Sequence, residues 1–338
     1  MLTAIDDNYI DLSISNVEQS DVSKRTLCQF NQSSTQPLLK DTTHYKLSII
    51  RFLLNTQSLP IFIPQLQPNE KNKTIYSVTM EYENKQFQQF MEFEPQLLNP
   101  SEQKEYYYVM NYQWVIYLVN KCFQSCLEGL QNLISLHTQT PPKMTLDNQT
   151  KFCSLFMDST YYGYNENNKI NVYMNLHMYG LFTSLPNVVC NKQKLGMDFQ
   201  INNKISDDPN NLSQEYSTTG LWSPISSIVF CTNLMPVNST IYPPTQKYVN
   251  GNLNTNSTYN SLNIITDFIA SDLNFSTNGF LIYESQNNRY ISLKDKQQLK
   301  NIDVNIYWIN KLTGDLNNVY LAPNSFSSIK ILLTNEMM

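Results

Sequence analysis

Glycine is scarce in this chain, with 8 in 338 residues, and no G-x-G-x-x-G, G-x-S-x-G or glycine-rich phosphate loop occurs. The turns that cradle nucleotides or expose a nucleophilic serine are therefore missing. Charge is sparse too: 15% of residues are charged, the formal net charge is −5 and the sequence pI is about 5.3. Such a balance supplies no basic field for a phosphate backbone, and no direct nucleic-acid binding is expected. No stretch reaches the roughly 18 consecutive apolar residues of a membrane span. The first twenty residues hold no lysine or arginine and no apolar core of signal-peptide length, so residues 1–20 read as a polar N-terminal arm without a secretory signal.

Histidine is nearly absent. His44, His137 and His177 are isolated in sequence, so no metal site is expected of them. The six cysteines, Cys28, Cys122, Cys126, Cys153, Cys190 and Cys231, lack paired-ligand spacing and read as free thiols. Seven N-x-S/T triplets occur, at Asn72, Asn238 and Asn274 among others, but an asparagine-rich chain generates them by chance. That asparagine also explains how loops manage with so little glycine, because it tolerates the left-handed conformation. The acidic doublets Asp6-Asp7 and Asp207-Asp208 sit in polar segments with no apolar wall to raise a pKa. A formal S-x-x-K match at Ser327 and Lys330 fails, since residues three apart in a strand point to opposite faces. No catalytic, cofactor-binding or metal-binding residue is assigned, binding residues remain unknown, and the chain reads as a non-enzyme without a cofactor.

What the chain has is β-pattern. Ile302, Val304, Ile306 and Trp308 alternate with Asp303, Asn305 and Tyr307, the period of a sheet with one dry face. After a turn at Leu312-Thr313-Gly314-Asp315, Ile329, Ile331 and Leu333 repeat the pattern. The segment after His44 has apolar residues on both faces, Leu47, Ile49 and Leu53 against Ile50, Phe52 and Leu54, and reads as a strand inside a layered structure. Residues 74–84 and 86–95 predict a hairpin, and residues 151–158 and 169–180 predict two further strands, the second with His177 on its polar face. One segment has the other period: Val115, Leu118, Val119, Cys122, Cys126 and Leu130 make a helical stripe, which predicts an amphipathic helix near 111–134. Polar material at 191–220 and 238–261 predicts long loops. About eight strands, one helix and long loops favour an all-β jelly roll or sandwich over a parallel α/β sheet. Tyrosine (22) and phenylalanine (16) are plentiful, with a cluster at Tyr106-Tyr107-Tyr108. Strand formation and subunit contact account for them better than stacking platforms for sugars or bases.

Trp222-Ser223-Pro224-Ile225-Ser226-Ser227-Ile228-Val229-Phe230, then Pro236, Ile264 to Phe268, Arg289 to Leu293, Ile302 to Trp308 and the terminal SIKILL run occur in that order. The series resembles the C-terminal half of penton-type minor capsid proteins of adenovirus-like-lineage small DNA viruses, such as polinton-like viruses and virophages. The resemblance implies a single jelly roll (antiparallel β-sandwich) with an insertion containing the helix. Jelly-roll strands are expected at 21–100 and 215–338, and the insertion at 101–214. It further implies a virion capsid protein, a homopentamer at the fivefold vertices of an icosahedral capsid, with an outward insertion and an N-terminal arm gripping neighbouring copies of the major capsid protein of the same virion; a host receptor or glycan is a further candidate partner. The chain has no RGD and ends TNEMM rather than on basic residues, so neither integrin binding nor a basic C-terminal contact is carried over. The alternative is a carbohydrate-binding β-sandwich. A cupin-type enzyme would need clustered histidines that the sequence does not contain.

Overall fold

The computed structural model describes the chain except residues 1–6, 20, 22–23, 98–102, 164–167, 193–195, 202–209, 239, 243–246, 250–251, 255–259, 270–278, 285–288 and 336–338. Asp6, Asp207-Asp208, the Asn274 triplet and the final NEMM residues from 336 onward lie outside the described residues. Two compact units emerge, Met1–Leu59 with Pro224–Met338, and Pro60–Ser223.

The first unit holds eight principal strands: β1 (Asp7–Asn16), β2 (Gln29–Ser33), β3 (Tyr45–Asn55), β4 (Ile225–Cys231), β5 (Ile264–Phe268), β6 (Phe280–Glu284), β7 (Asn301–Asn310) and β8 (Ser325–Asn335). They form two antiparallel sheets, ordered β1-β8-β3-β6 and β2-β7-β4-β5. Each sheet interleaves early and late strands, which is the double Greek-key order of a jelly roll. The two alternating runs at the end of the chain thus belong to different sheets, β7 to one and β8 to the other. Gly314 takes the positive φ of 75° that the turn after β7 requires.

Ile302, Val304, Ile306 and Trp308 are all buried, as the alternation predicts. The other face is not wet, however: Asp303 and Asn305 are buried as well. There Val229, Cys231 and Ile309 form a second apolar cluster, with Ile264, Tyr307 and Leu316 packed against it. The Asp303 carboxylate accepts from the Thr232 hydroxyl, from the backbone N–H groups of Asn233 at 2.7 Å and Leu234 at 2.9 Å, and from Asn305 Nδ2 at 3.2 Å. A buried charge is tolerable because four donors replace its water.

The two-faced pattern of β3 has a different cause from the one its composition predicts. Its pairing with β8 shifts register, with Lys330 opposite Arg51 but Ile331 opposite Ile49, leaving Ile50 as a bulge. One extra residue slips the alternation by one place, so that Leu47, Ile49, Phe52 and Leu54 all face Ile329, Ile331 and Leu333 inside. The polar arm also departs from expectation. Asp7–Asn16 is an edge strand paired residue for residue with Thr334–Ser325, because Ile10, Leu12 and Ile14 give it an apolar face.

Between the sheets lie four aromatic rings. Phe52 of β3 stacks against Tyr283 of β6 at 5.3 Å between centroids, and meets Phe230 of β4 at 5.0 Å and Phe268 of β5 at 4.8 Å. Phe268 in turn touches Phe230 at 5.6 Å and Tyr283 at 4.3 Å. Such offset and tilted pairs add to the stabilisation from burial alone.

In the second unit, the hairpin Lys73–Tyr82 and Lys85–Glu92 forms as expected. Its turn places Glu83 and Asn84 at φ of 46° and 62°, the backbone of a tight hairpin reversal. Asn69, Asn84 and Asn324 take left-handed conformations, in keeping with asparagine-built turns. The expected helix is α1 (Tyr112–Gln131), started by Asn111, whose side chain accepts from the Trp114 N–H at 2.9 Å. Its apolar stripe packs on the hairpin. Gly129 is required by that close approach, because a Cβ there would sit 2.1 Å from the Phe87 ring.

The alternation over residues 170–178 predicts one strand, but the strand ends at Met174 and a short helix, Leu176–Leu181, follows. Asn175 decides this: its carbonyl oxygen accepts from the Met178 N–H at 2.8 Å and the Ser77 N–H at 3.1 Å, while its amide donates to Ile75 O at 2.7 Å. His177 therefore lies exposed on a helix, not on a strand. Part of the polar stretch expected to be loop pairs as short strands, Met197–Gln200 and Asn211–Ser213. The hairpin and everything else from Pro60 to residue 100 lie in this second unit, so the interruption of the jelly roll starts after β3 rather than near residue 100.

Phe52→Ala is expected to lower stability by about 3–5 kcal/mol, because it leaves a cavity among the remaining three rings. The check is the urea midpoint of the full chain; an unchanged midpoint would show that the sheets are held by something else.

Candidate assembly surfaces

Among the described residues no group of three or more His, Cys, Asp or Glu side chains is placed to hold a metal ion. His44 adopts a left-handed turn before β3, and His137 and His177 are exposed elsewhere. Asp7 is an exposed residue at the start of β1. Ser327 and Lys330 are separated by the strand: the buried Ser327 hydroxyl accepts from the Asn55 N–H at 3.0 Å, while Lys330 faces outward.

The thiols are structural. Burial pushes Cys28, Cys126, Cys153 and Cys231 up to about 12, and Cys122 well above its usual range. Cys122 and Cys126 sit on the buried stripe of α1, where Cys122 donates to Gln89 O at 3.4 Å and Cys126 to Phe87 O at 3.2 Å. The tyrosine cluster is structural as well. Tyr106 and Tyr107 cross edge-to-face at 4.9 Å and pack on Phe93 at 5.8 and 5.4 Å. The Tyr107 hydroxyl donates to Lys71 O at 2.9 Å, and Tyr108 is buried. Rings engaged in this way are not a free platform for a sugar.

What the jelly roll presents outward is of another kind. On the outer face of the β1-β8-β3-β6 sheet, Ile282 (61% exposed) and Phe326 (49% exposed) flank the half-buried Leu53 and Phe280. Phe280 and Phe326 lie 5.9 Å apart. Beside this patch, Asp11 pairs with Arg51 and with Lys330, each at 3.3 Å, and the Lys330 ammonium stands 5.7 Å from the exposed Tyr9 ring. Exposed ion pairs contribute little to stability; here they leave the centre of the face compensated in charge beside an apolar patch. No signal in the sequence marked these residues, because each is an ordinary outward position of an alternating strand and only the sheet order brings them together.

An eight-stranded jelly roll is a build shared by viral capsid proteins, lectin domains and cupins. A family model described as Sputnik minor capsid protein V18/19 matches residues 8–335, and the chain belongs to that family. It is a minor capsid protein, a structural component of the virion capsid. Its similarity to the uncharacterized protein V18 of the Sputnik virophage is 32% identity over 119 residues, spanning 30% of this chain and 71% of that protein. A chain in the cryo-EM structure of the Sputnik virophage shares the fold with a TM-score of 0.82 at 23% identity, over 98% of both chains. The crystal structure of the mavirus penton protein shares it with a TM-score of 0.68 at 14% identity, over 98% of this chain and 100% of that one.

The native chain is expected to react with a disulfide reagent at pH 8 first through Cys190, the only one of the six that is not buried. A thiol with a pKa raised to about 12 holds on the order of one part in ten thousand thiolate there. All six should react in denaturant. Several fast thiols in the native chain would contradict the burial of α1 and β4.

Proposed function

We propose that this chain is a penton-like capsomer, five copies of which close a ring at the fivefold vertices of an icosahedral capsid and contact the major capsid protein. In this reading the jelly-roll unit, Met1–Leu59 with Pro224–Met338, makes the ring and the capsid contacts. The inserted unit, Pro60–Ser223, is available for contacts particular to this virion, a host receptor or glycan among them. The role is non-enzymatic, and the function resides in surfaces.

The likeness in fold to the mavirus penton protein, over essentially the whole of both chains, carries this reading. The surfaces fit it. A ring of identical copies needs each copy to offer two different, complementary surfaces, and the sheet carrying Ile282 and Phe326 has an outer face with the exposed apolar area that one such surface requires.

Sedimentation or light scattering of the purified full chain tests it. Five copies of 39.3 kDa give about 197 kDa, and a species of that mass is the expected result. A stable dimer, trimer or hexamer would contradict fivefold closure.

A further inference from the structure

We infer that the inserted unit, Pro60–Ser223, is a self-contained module that opens and closes as one cooperative body while the jelly roll carrying it stays folded. The chain passes between the two units twice, at Leu59–Pro60 and at Ser223–Pro224. A proline stands at each joint. It has no N–H to donate and holds the residue before it extended, which stops regular structure from running through. Residues 59–60 and 223–224 accordingly lie in no strand or helix.

Each side of each joint is tied within its own unit. At the first joint, on the jelly-roll side, the Thr56 N–H donates to Gly279 O and the Leu59 N–H to Thr56 O, both at 3.0 Å. On the other side, the Ile61 N–H donates to Val109 O at 2.8 Å and the Val109 N–H to Phe62 O at 3.0 Å. At the second joint, the Trp222 indole N–H and the Thr218 hydroxyl both donate to Leu181 O, at 2.8 and 2.6 Å. Gln214 holds the same segment, accepting from the Cys153 N–H at 2.8 Å and donating to the Thr218 hydroxyl at 2.7 Å. Across the joint, Pro224 O accepts from the Lys311 N–H at 2.7 Å, and β4 starts its ladder with Ile225 opposite Asn310. Each of these bonds stays inside one unit, so opening one unit leaves the joint residues of the other with their partners.

The two ends of the inserted unit also meet. Phe62 pairs with Val109, and a few residues further on the ring of Tyr112, at the start of α1, lies 5.6 Å from the ring of Trp222. Ends held together by the unit's own contacts do not rely on β3 and β4 to fix their separation. The unit has its own core as well, with Val78, Met80, Met91, Phe93, Phe123 and Phe182 each at most 1% exposed. Its length is that of an ordinary domain. A module of this kind can open, or differ in its outward residues, without altering how the strands of the sandwich pair. The inference stands on the two units of one chain and is independent of how many copies form the ring.

The buried thiols are built-in reporters: Cys28 and Cys231 belong to the jelly roll, and Cys122, Cys126 and Cys153 to the inserted unit. The test follows labelling of each thiol of the full chain in dilute urea, mapped by peptide mass, under conditions where reclosing outruns labelling. Phe52→Ala is expected to speed labelling of Cys28 and Cys231 by at least about a hundredfold, and that of the other three by less than about threefold. Phe123→Ala, which empties a fully buried site on α1, is expected to do the reverse. Should Phe52→Ala lose the sandwich outright, Cys122, Cys126 and Cys153 are still expected to keep the protection they have in the unmutated chain. Acceleration of both groups together in either variant would overturn the proposal, since it would make the chain one cooperative body. So would labelling of Cys153 at a different urea concentration from Cys122 and Cys126, since the inserted unit would then not open as one.

Discussion

The jelly roll is interrupted after β3 and resumes at β4, and what holds those two strands in one sandwich is the packing of Phe52 against Phe230 and Phe268. Among the described residues the two sheets share no ladder, so their union depends on side chains meeting across the middle. Phe52 can be there only because the bulge at Ile50 returns the second half of β3 to the inner face. With the rings in place, the inserted unit can be large: the entropy of closing a loop grows only slowly with its length.

Register within the sheets is then fixed by polar groups that have one place to go. The Asp303 carboxylate holds the turn after β4 through Thr232, Asn233 and Leu234, and the Ser327 hydroxyl meets the last N–H of β3. A slip of one residue in β7 or β8 would bury these groups without partners, a loss of about 1–3 kcal/mol for each. Apolar packing selects the sandwich, and these contacts select one alignment of it. A capsid protein needs that definition, since a surface that repeats around a shell must be the same in every copy.

Much of this could be read from the residues. Strict alternation located β7 and β8, three- and four-residue spacing located α1, and the ordered series from Trp222 to the terminal run pointed to the family. The failures have physical causes. At Ile50 a bulge mimics a two-faced strand, because the pattern records phase but not the register shift that resets it. At Asn175 alternation runs on into a helix, since a single cap outweighs the periodicity around it. Residues 1–20 look like an arm on account of their acids and serines, although Ile10, Leu12 and Ile14 already carry the period of a strand. The apolar patch on the outer sheet face was not legible, because outward residues of β1, β3, β6 and β8 become neighbours only through the strand order.

On the proposed reading the chain works through its surfaces, and its position in the shell is the central claim. A map of the virion at side-chain detail tests that most directly. The account predicts this jelly roll in five copies around each fivefold vertex, recognisable by the strand orders β1-β8-β3-β6 and β2-β7-β4-β5. Density for the chain at threefold or general positions, with another protein filling the vertices, would contradict it.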